Sequence, residues 1–155
     1  MKIFISHKKE DSYTANQIAN ELKLCNVDCY LDVLDASVTQ NGKELTDHIR
    51  ESLNNCTDII VVMSSITRLS QWVPFEVGMA AQVDMPTATF LKEDVSLPDF
   101  LQYWPRLKKV ADIRKYVSVS NEVEQEYQRY RPMYEEAAFQ QKRVERFYDV
   151  LKQRL

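Results

Sequence analysis

Two side chains near the middle of the chain, Trp72 and Glu76, are four residues apart in a segment that should begin a helix. Residues at this spacing lie on one helix face, so the indole and the carboxylate should be neighbours. A carboxylate is favourable near a helix N-terminus but is a poor choice on a face that packs against a sheet. The pair therefore indicates a site and not only a piece of core.

The elements around this pair place it after a buried strand. The apolar run 59–63 ends in Ser64-Ser65, which predicts a strand, a short polar turn and then a helix over residues 70–83. Ser70 is the predicted N-cap of this helix, since a serine hydroxyl accepts hydrogen bonds from the first N–H groups.

Strand-like and helix-like segments alternate along the first two thirds of the chain. Short β-branched and aromatic runs predict strands at 2–6, 27–31 and 87–91, with a weak fifth strand at 109–113, and helical spacing of apolar residues predicts helices at 11–25 and 43–54. Alternating strands and helices imply parallel βαβ units with right-handed crossovers. We therefore predict an α/β, flavodoxin-like, doubly wound parallel sheet of about five strands in the order 2-1-3-4-5.

This strand order predicts where a ligand would bind. The crevice lies beyond the carboxyl ends of strands 1 and 3. Strand 1 ends in Ser6-His7-Lys8 and strand 3 ends in Ser64, and the helix with the carboxylate follows strand 3. Asp11, a little further along, is interpreted as the start of the first helix. The motif and the crevice are predicted by separate arguments, and they coincide.

Composition excludes several classes of protein. The 155 residues fit one domain, and 45% hydrophobic residues can form a core. A net charge of -3 argues against a dedicated nucleic-acid binder. No apolar run approaches the roughly 20 residues of a membrane span and no signal peptide is visible, so we expect a cytoplasmic protein. Cys25, Cys29 and Cys56 should be free thiols, and no metal site is predicted.

The C-terminal part differs from the rest of the chain in amino-acid composition. It is rich in Glu, Gln, Arg and Tyr and has no strand signal, and Pro132 should divide it into two helices or kink one. We expect residues 1–118 to form the α/β domain and residues 119–155 to form a helical extension packed on it. A coupling or oligomerisation element is the alternative.

Two motifs resemble those of bacterial TIR (Toll/interleukin-1 receptor-like) domains. Residues 3–11 (IFISHKKED) resemble the first box of the family, and residues 72–78 (WVPFEVG) resemble the third-helix motif of its enzymatic branch. The order of elements agrees over roughly residues 1–115. Within the family, the chain resembles stand-alone bacterial TIR proteins of antiphage systems such as Thoeris.

The resemblance implies an enzyme that cleaves NAD+ to nicotinamide plus ADP-ribose or a cyclic isomer, which a downstream effector would sense. It implies that Glu76 is the catalytic carboxylate and that Trp72 and Phe4 shape the nicotinamide–ribose pocket. NAD+ would be the substrate, with no further cofactor. The pyrophosphate would be bound by Ser6, His7, Lys8 and the N-terminus of the first helix, and Ser64 would be a further substrate-binding residue.

A single carboxylate suits this reaction. The nicotinamide ring of NAD+ carries a positive charge and leaves as a neutral molecule, so no second, proton-donating acid of the kind used by O-glycosidases is needed. Glu76 would bind the ribose hydroxyls and stabilise the oxocarbenium-like transition state. Trp72 would stack on the cation.

The connection after strand 2 is the other part of the chain with an implied role. It is polar and aperiodic, and it is longer than the length of about 2–6 residues that is typical of loops in α/β proteins. In the TIR family this connection contacts a neighbouring domain and helps to complete the NAD+ site. The resemblance therefore implies self-association through Asp32, Leu34, Asp35 and Gly42.

Two other functions stay open at this point. A non-catalytic TIR module would signal by assembling with other TIR domains. A nucleoside deoxyribosyltransferase-like enzyme would use a similar sheet and a nucleophilic glutamate, and it would ignore NAD+. The sequence also leaves open whether water or an adenine nitrogen captures the ribosyl cation.

Overall fold

The computed structural model describes residues 1–32, 42–129 and 136–155. The five strands are β1 (Lys2–Ser6), β2 (Asp28–Asp32), β3 (Asp58–Met63), β4 (Thr87–Leu91) and β5 (Arg106–Leu107). The five α-helices of the described part are α1 (Ser12–Leu24), α2 (Gly42–Asn54), α3 (Trp72–Gln82), α4 (Asp112–Gln128) and α5 (Glu136–Arg154). Leu34, Asp35 and Pro132 lie outside the described residues.

All five strands are parallel and form one sheet in the order β2-β1-β3-β4-β5. The predicted strand order and the flavodoxin-like α/β class are therefore confirmed. β1 is paired on both sides, with Ser6 opposite Asp32 of β2 and opposite Val61 of β3. The carboxyl ends of β1 and β3 consequently lie side by side, as the predicted crevice requires.

The position of the fifth strand was predicted wrongly. It occupies Arg106–Leu107, not residues 109–113. Asp112 explains the difference, because its Oδ2 accepts the backbone N–H groups of Lys108 and Lys109 at 3.1 and 3.0 Å. This turn starts α4 at Asp112 and overrides the strand preference of the neighbouring apolar residues.

The core lies on both faces of the sheet because strand side chains alternate in direction. Ile3 and Ile5 of β1 belong to a buried cluster with α1, α4 and α5, whereas Phe4 belongs to a second cluster with α2 and α3. β3 alternates in the same way and is buried along its whole length. This continuous burial is expected of a central strand in a parallel sheet.

The C-terminal part contains the second half of α4 and all of α5. The predicted boundary at residues 118–119 therefore falls inside α4, which runs without a break from Asp112 to Gln128. Phe147, Val150 and Leu151 of α5 are buried in the cluster that also contains Tyr116 of α4. The rings of Tyr116 and Phe147 meet edge to face at 5.0 Å between centroids. These contacts join α5 to the same core as the sheet.

Two compositional expectations have structural counterparts. Cys25 and Cys29 are half-buried and Cys56 is buried, and all three are free thiols, as predicted. Among the helices of the described ranges, none combines the length and the apolar surface that crossing a membrane requires.

Candidate active site

Ser6 and Glu76 meet at the carboxyl edge of the sheet. They are 70 residues apart in the sequence, and the Ser6 hydroxyl donates a hydrogen bond to Oε2 of Glu76. Both side chains are buried, with 0% and 2% of their surface exposed. A buried carboxylate needs a hydrogen-bond donor, so the end of β1 holds the acid of α3 in place.

The start of α3 sets the direction of the Trp72 side chain. Ser70 Oγ accepts the N–H groups of Trp72 and Val73 at 3.2 and 3.4 Å, which agrees with its predicted capping role although the helix begins two residues later. Trp72 is half-buried against the α2–α3 cluster, and its ring contacts the edge of Phe75 at 6.1 Å between centroids. Glu76 follows one turn later, so the indole and the buried acid lie on the same face of α3.

Phe4 supports this region from below the surface. Its side chain is fully buried and stacks on Tyr30 at 5.5 Å between ring centroids. Tyr30 is half-buried, and its hydroxyl lies 2.9 Å from His48 Nε2 on α2. In this arrangement Phe4 has no exposed surface, and Tyr30 is the ring of the stack nearer to solvent.

Asp11 is the residue that sequence reasoning missed. It precedes α1, as interpreted, but its carboxylate makes no cap to that helix. Instead Oδ2 accepts the hydroxyls of Ser64 and Thr67, both at 2.5 Å, and Oδ1 binds Lys92 Nζ at 2.8 Å. Asp11 is completely buried, so it ties the ends of β1, β3 and β4 together.

The ionisation of Asp11 follows from these contacts. Burial by itself would raise the pKa of the carboxyl, but the hydrogen bonds from Lys92, Ser64 and Thr67 outweigh it and lower the pKa below its ordinary value. Lys92 responds in the opposite direction, since its hydrogen bond to Asp11 raises the pKa of the ammonium. The pair is therefore charged at neutral pH.

Ser64 builds the turn between β3 and α3. Its hydroxyl donates to Asp11 and accepts the N–H groups of Ile66 and Thr67 at 3.2 and 3.1 Å. The next N–H, that of Ser65, donates to Glu93 Oε1 at 2.7 Å. Ser64 thus lies at the predicted edge of the sheet, with its hydroxyl engaged in the protein's own network.

His7 and Lys8 lie between β1 and α1. His7 is buried, with Nδ1 at 3.1 Å from the Ile5 carbonyl oxygen and Nε2 at 3.5 Å from Ser12 Oγ. A proton on Nδ1 satisfies the contact with the Ile5 carbonyl oxygen, whereas the Ser12 hydroxyl donates to the Lys9 carbonyl oxygen at 2.6 Å. Lys8 is half-buried, and its carbonyl accepts the Asp11 N–H at 2.8 Å, which fixes the path of the loop.

The residues of the connection after β2 are only partly described. Asp32 ends β2, and Gly42 begins α2 and accepts the Thr46 hydroxyl at 2.9 Å. The predicted contact residues Leu34 and Asp35 lie outside the described ranges, so their proposed role stays a prediction.

Comparison with protein-family models matches residues 3–131 to the family described as TIR domain. The match contains both sequence motifs, the strands β2 to β5, all of β1 except Lys2, and α4. No match to this chain was found among curated proteins.

Proposed function

From the premise that this chain belongs to the TIR domain family, we propose that it is an NAD+ nucleosidase whose catalytic carboxylate is Glu76. Membership by itself is compatible with NAD+ cleavage and with a scaffold role. The observation that favours cleavage is the buried Glu76, which accepts a hydrogen bond from the Ser6 hydroxyl and lies one turn after the half-buried Trp72 on α3. A carboxylate at the ligand-binding edge of a doubly wound sheet is a candidate functional group, and Glu76 lies on the helix face that also carries Trp72.

The proposed reaction breaks the bond between nicotinamide and C1′ of the ribose. The bonding electrons neutralise the pyridinium nitrogen, and positive charge develops on the ribose ring. The Glu76 carboxylate stabilises that charge and accepts hydrogen bonds from the ribose hydroxyls. Water then adds to C1′ and releases a proton to give ADP-ribose, or an adenine nitrogen adds instead to give a cyclic isomer.

The surroundings of Glu76 suit this role. A carboxylate in a water-poor site acts more strongly on a developing cation than one in bulk water. Ser6 orients one oxygen of the carboxylate. Lys8 and His7 lie in the loop before α1, where cationic and N–H groups would bind the pyrophosphate.

Incubation of the pure protein with NAD+, followed by chromatography of the products, tests the proposal. Release of nicotinamide with ADP-ribose or a cyclic isomer is the expected result, and it identifies the capturing nucleophile. Intact NAD+ at high protein concentration would favour the scaffold role. Release of a base from deoxynucleosides would instead favour a deoxyribosyltransferase.

Removal of the indole should impair catalysis more than its replacement by a smaller ring. Trp72→Ala should lower kcat/KM by about 2- to 30-fold, the equivalent of a cation–π contact of about 0.5–2 kcal/mol, while Trp72→Phe should retain much of the activity. Steady-state kinetics beside thermal melts separate this effect from lost packing. Phe75→Ala, which removes the neighbouring ring, is the matched control, and equal losses from both alanine variants would contradict the stacking role.

Charge reversal in the loop before α1 should weaken substrate binding. Lys8→Glu should raise the KM for NAD+ with a smaller change in kcat and in melting temperature, because the cation would contact phosphate and not the reacting carbon. The control is Lys23→Glu, on the exposed side of α1. An unchanged KM would mean that Lys8 is only a solvated charge.

Assembly should switch the enzyme on. If the connection after β2 completes the NAD+ site of a neighbouring copy, specific activity should rise with protein concentration, because more copies are then assembled. Head-to-tail contacts of this kind can form open filaments as well as closed dimers. Leu34→Asp should quench activity without unfolding the domain. Activity and light scattering across roughly a hundredfold dilution provide the test, and constant specific activity in a proven monomer would refute it.

We further propose a biological setting from the same resemblance. The nucleotide product would act as a cytoplasmic signal in bacterial antiviral defence, and a separate effector would bind it. Expression of the parent protein or of Glu76→Gln in phage-challenged cells, followed by extraction and measurement of the nucleotide product, tests this setting. A nucleotide that accumulates independently of infection would argue against it.

A further inference from the structure

A polar cavity lies beside β5, the last strand in the order of the sheet. It has a volume of about 570 Å³ and is formed by the segment around β5, the first turn of α4 and the last turn of α5. Five of its lining side chains are cationic, and the one acidic side chain among those described is Asp112. The cationic residues are Arg106, Lys108, Lys109, Lys115 and Lys152. This concentration of positive charge occurs in a chain whose net charge is -3.

Asp112 is already used by the protein's own groups. Its Oδ1 pairs with Lys115 Nζ at 3.0 Å, and its Oδ2 accepts the backbone N–H groups of Lys108 and Lys109. Arg106 donates to the Gln102 carbonyl at 3.0 Å, a neutral partner. Within the described ranges no acidic side chain pairs with the ammonium groups of Lys108, Lys109 or Lys152. The five cationic side chains outnumber the one acidic side chain among the described lining residues, and a bound anion would relieve their repulsion.

The same cavity has an aromatic wall. Tyr103 and Trp104 both line it, with ring centroids 4.4 Å apart. Trp104 is buried, whereas Tyr103 is 56% exposed, so the inner ring supports an outer ring that is open to a ligand. An exposed, supported ring beside cations is suited to stacking on a nucleobase while the cations bind phosphates.

The location separates this cavity from the proposed catalytic site. β5 is the edge strand, three positions from β1 in the sheet, and this corresponds to about 14 Å at the usual spacing between strands. The cavity volume is within the range of about 300–1,000 Å³ that is typical of small-molecule sites.

We propose that this cavity binds a polyphosphate ligand, and that Tyr103 favours a nucleoside polyphosphate over an inorganic one. The cations on β5, α4 and α5 contact the phosphates, and Tyr103 contacts the base. A ligand bound there bridges the end of α5 to the sheet edge, so the ligand stabilises the packing of the C-terminal helix. This site is independent of NAD+ cleavage and does not require Glu76.

Calorimetric titration of the full chain with ATP, and separately with tripolyphosphate, tests the proposal. We expect saturable one-to-one binding of ATP with a Kd below about 1 mM at low salt, and an affinity that falls as salt is added. The double variant Lys109→Ala/Lys152→Ala should weaken binding by at least about tenfold. Tyr103→Ala should weaken ATP binding and leave tripolyphosphate binding unchanged.

Two controls identify where the probe binds. Lys23→Ala removes an exposed lysine of α1 and should bind ATP like the parent protein. Lys8→Ala should also bind ATP normally, and a loss of binding there would place the nucleotide at the proposed NAD+ site and overturn the inference. Full binding by the double variant, or no binding of either probe, would overturn it as well.

The double variant should fold, because it removes like charges that repel one another, and its ligand-free melting temperature should not fall below that of the parent. If it does not fold, Lys152→Gln alone, at an exposed position near the end of α5, serves the same purpose. At the same ATP concentration, the melting temperature of the parent protein should rise more than that of the folded variant.

Discussion

Replacing Glu76 by glutamine should reduce NAD+ cleavage by about 10²–10³-fold or more, the loss that follows removal of one strong electrostatic group from a transition state. The amide preserves the size of the side chain, and its oxygen can still accept the Ser6 hydroxyl that contacts Glu76. The fold should therefore persist, whereas the negative charge that stabilises the ribosyl cation is lost. Product chromatography in single-turnover conditions, beside a thermal melt, measures both effects.

Glu51→Gln is the matched control for this variant. Glu51 is an exposed carboxylate on α2, so the same chemical change there should leave turnover and stability as in the parent. If the folded Glu76→Gln protein turned over NAD+ at a rate near that of the parent, Glu76 would not be the catalytic carboxylate.

Among the proposed variants, Asp11→Ala should cause the largest decrease in the free energy of unfolding. The Ser64 and Thr67 hydroxyls, each 1% exposed, would lose their acceptor, and a buried donor left without a partner costs about 1–3 kcal/mol. Lys92 is partly exposed and can be hydrated, so its contribution is smaller. We expect a total loss of about 3–5 kcal/mol, measured by urea denaturation.

Glu93→Ala is the control for the Asp11 variant, because Glu93 is an exposed acid that accepts one N–H from the same turn. It should cause a much smaller loss. Equal losses from the two variants would show that the buried network contributes little beyond an ordinary surface hydrogen bond.

The stability difference between the parent and Asp11→Ala should depend on pH. The folded pKa of Asp11 is lowered, so the folded state favours the ionised form. The stabilisation from ionised Asp11 is therefore present above the unfolded pKa of about 3.9, and it disappears as pH falls through the lower folded value. Urea denaturation of both proteins between neutral pH and pH 3 should show the difference shrink at the acidic end.

The stability of Asp11→Ala is subtracted from that of the parent at each pH because a second buried acid, Asp58, has its pKa shifted in the opposite direction. Burial raises the pKa of Asp58, despite hydrogen bonds from Thr57 and Tyr116, so the unfolded state loses its proton first as pH rises. The parent protein therefore loses stability from Asp58 between the unfolded and the folded pKa values. That contribution is common to both proteins and cancels in the difference. A difference that does not change with pH would contradict the ionisation of Asp11.

The sequence by itself determined most of the architecture. Five strands, the helices between them and the order 2-1-3-4-5 follow from apolar periodicity and from the handedness of crossovers, both of which are local or general rules. The spacing of Trp72 and Glu76 likewise required only the helix repeat to place both on one face. The predicted position of β5 was wrong because an edge strand of two residues has almost no periodic pattern of apolar residues. The turn that Asp112 forms with the preceding N–H groups determines where α4 begins.

Only the tertiary structure determined which polar groups meet. Asp11 contacts Ser64, Thr67 and Lys92 across 53, 56 and 81 residues of sequence, and no local pattern identifies such partners. The cationic cavity also arises from separate segments, since Lys152 of α5 joins cations from 106–115. Periodicity reflects the geometry of one helix or strand, which the chain carries residue by residue. A hydrogen bond or an ion pair instead depends on where strand ends and helix ends arrive after packing, and this is fixed only when the whole core forms.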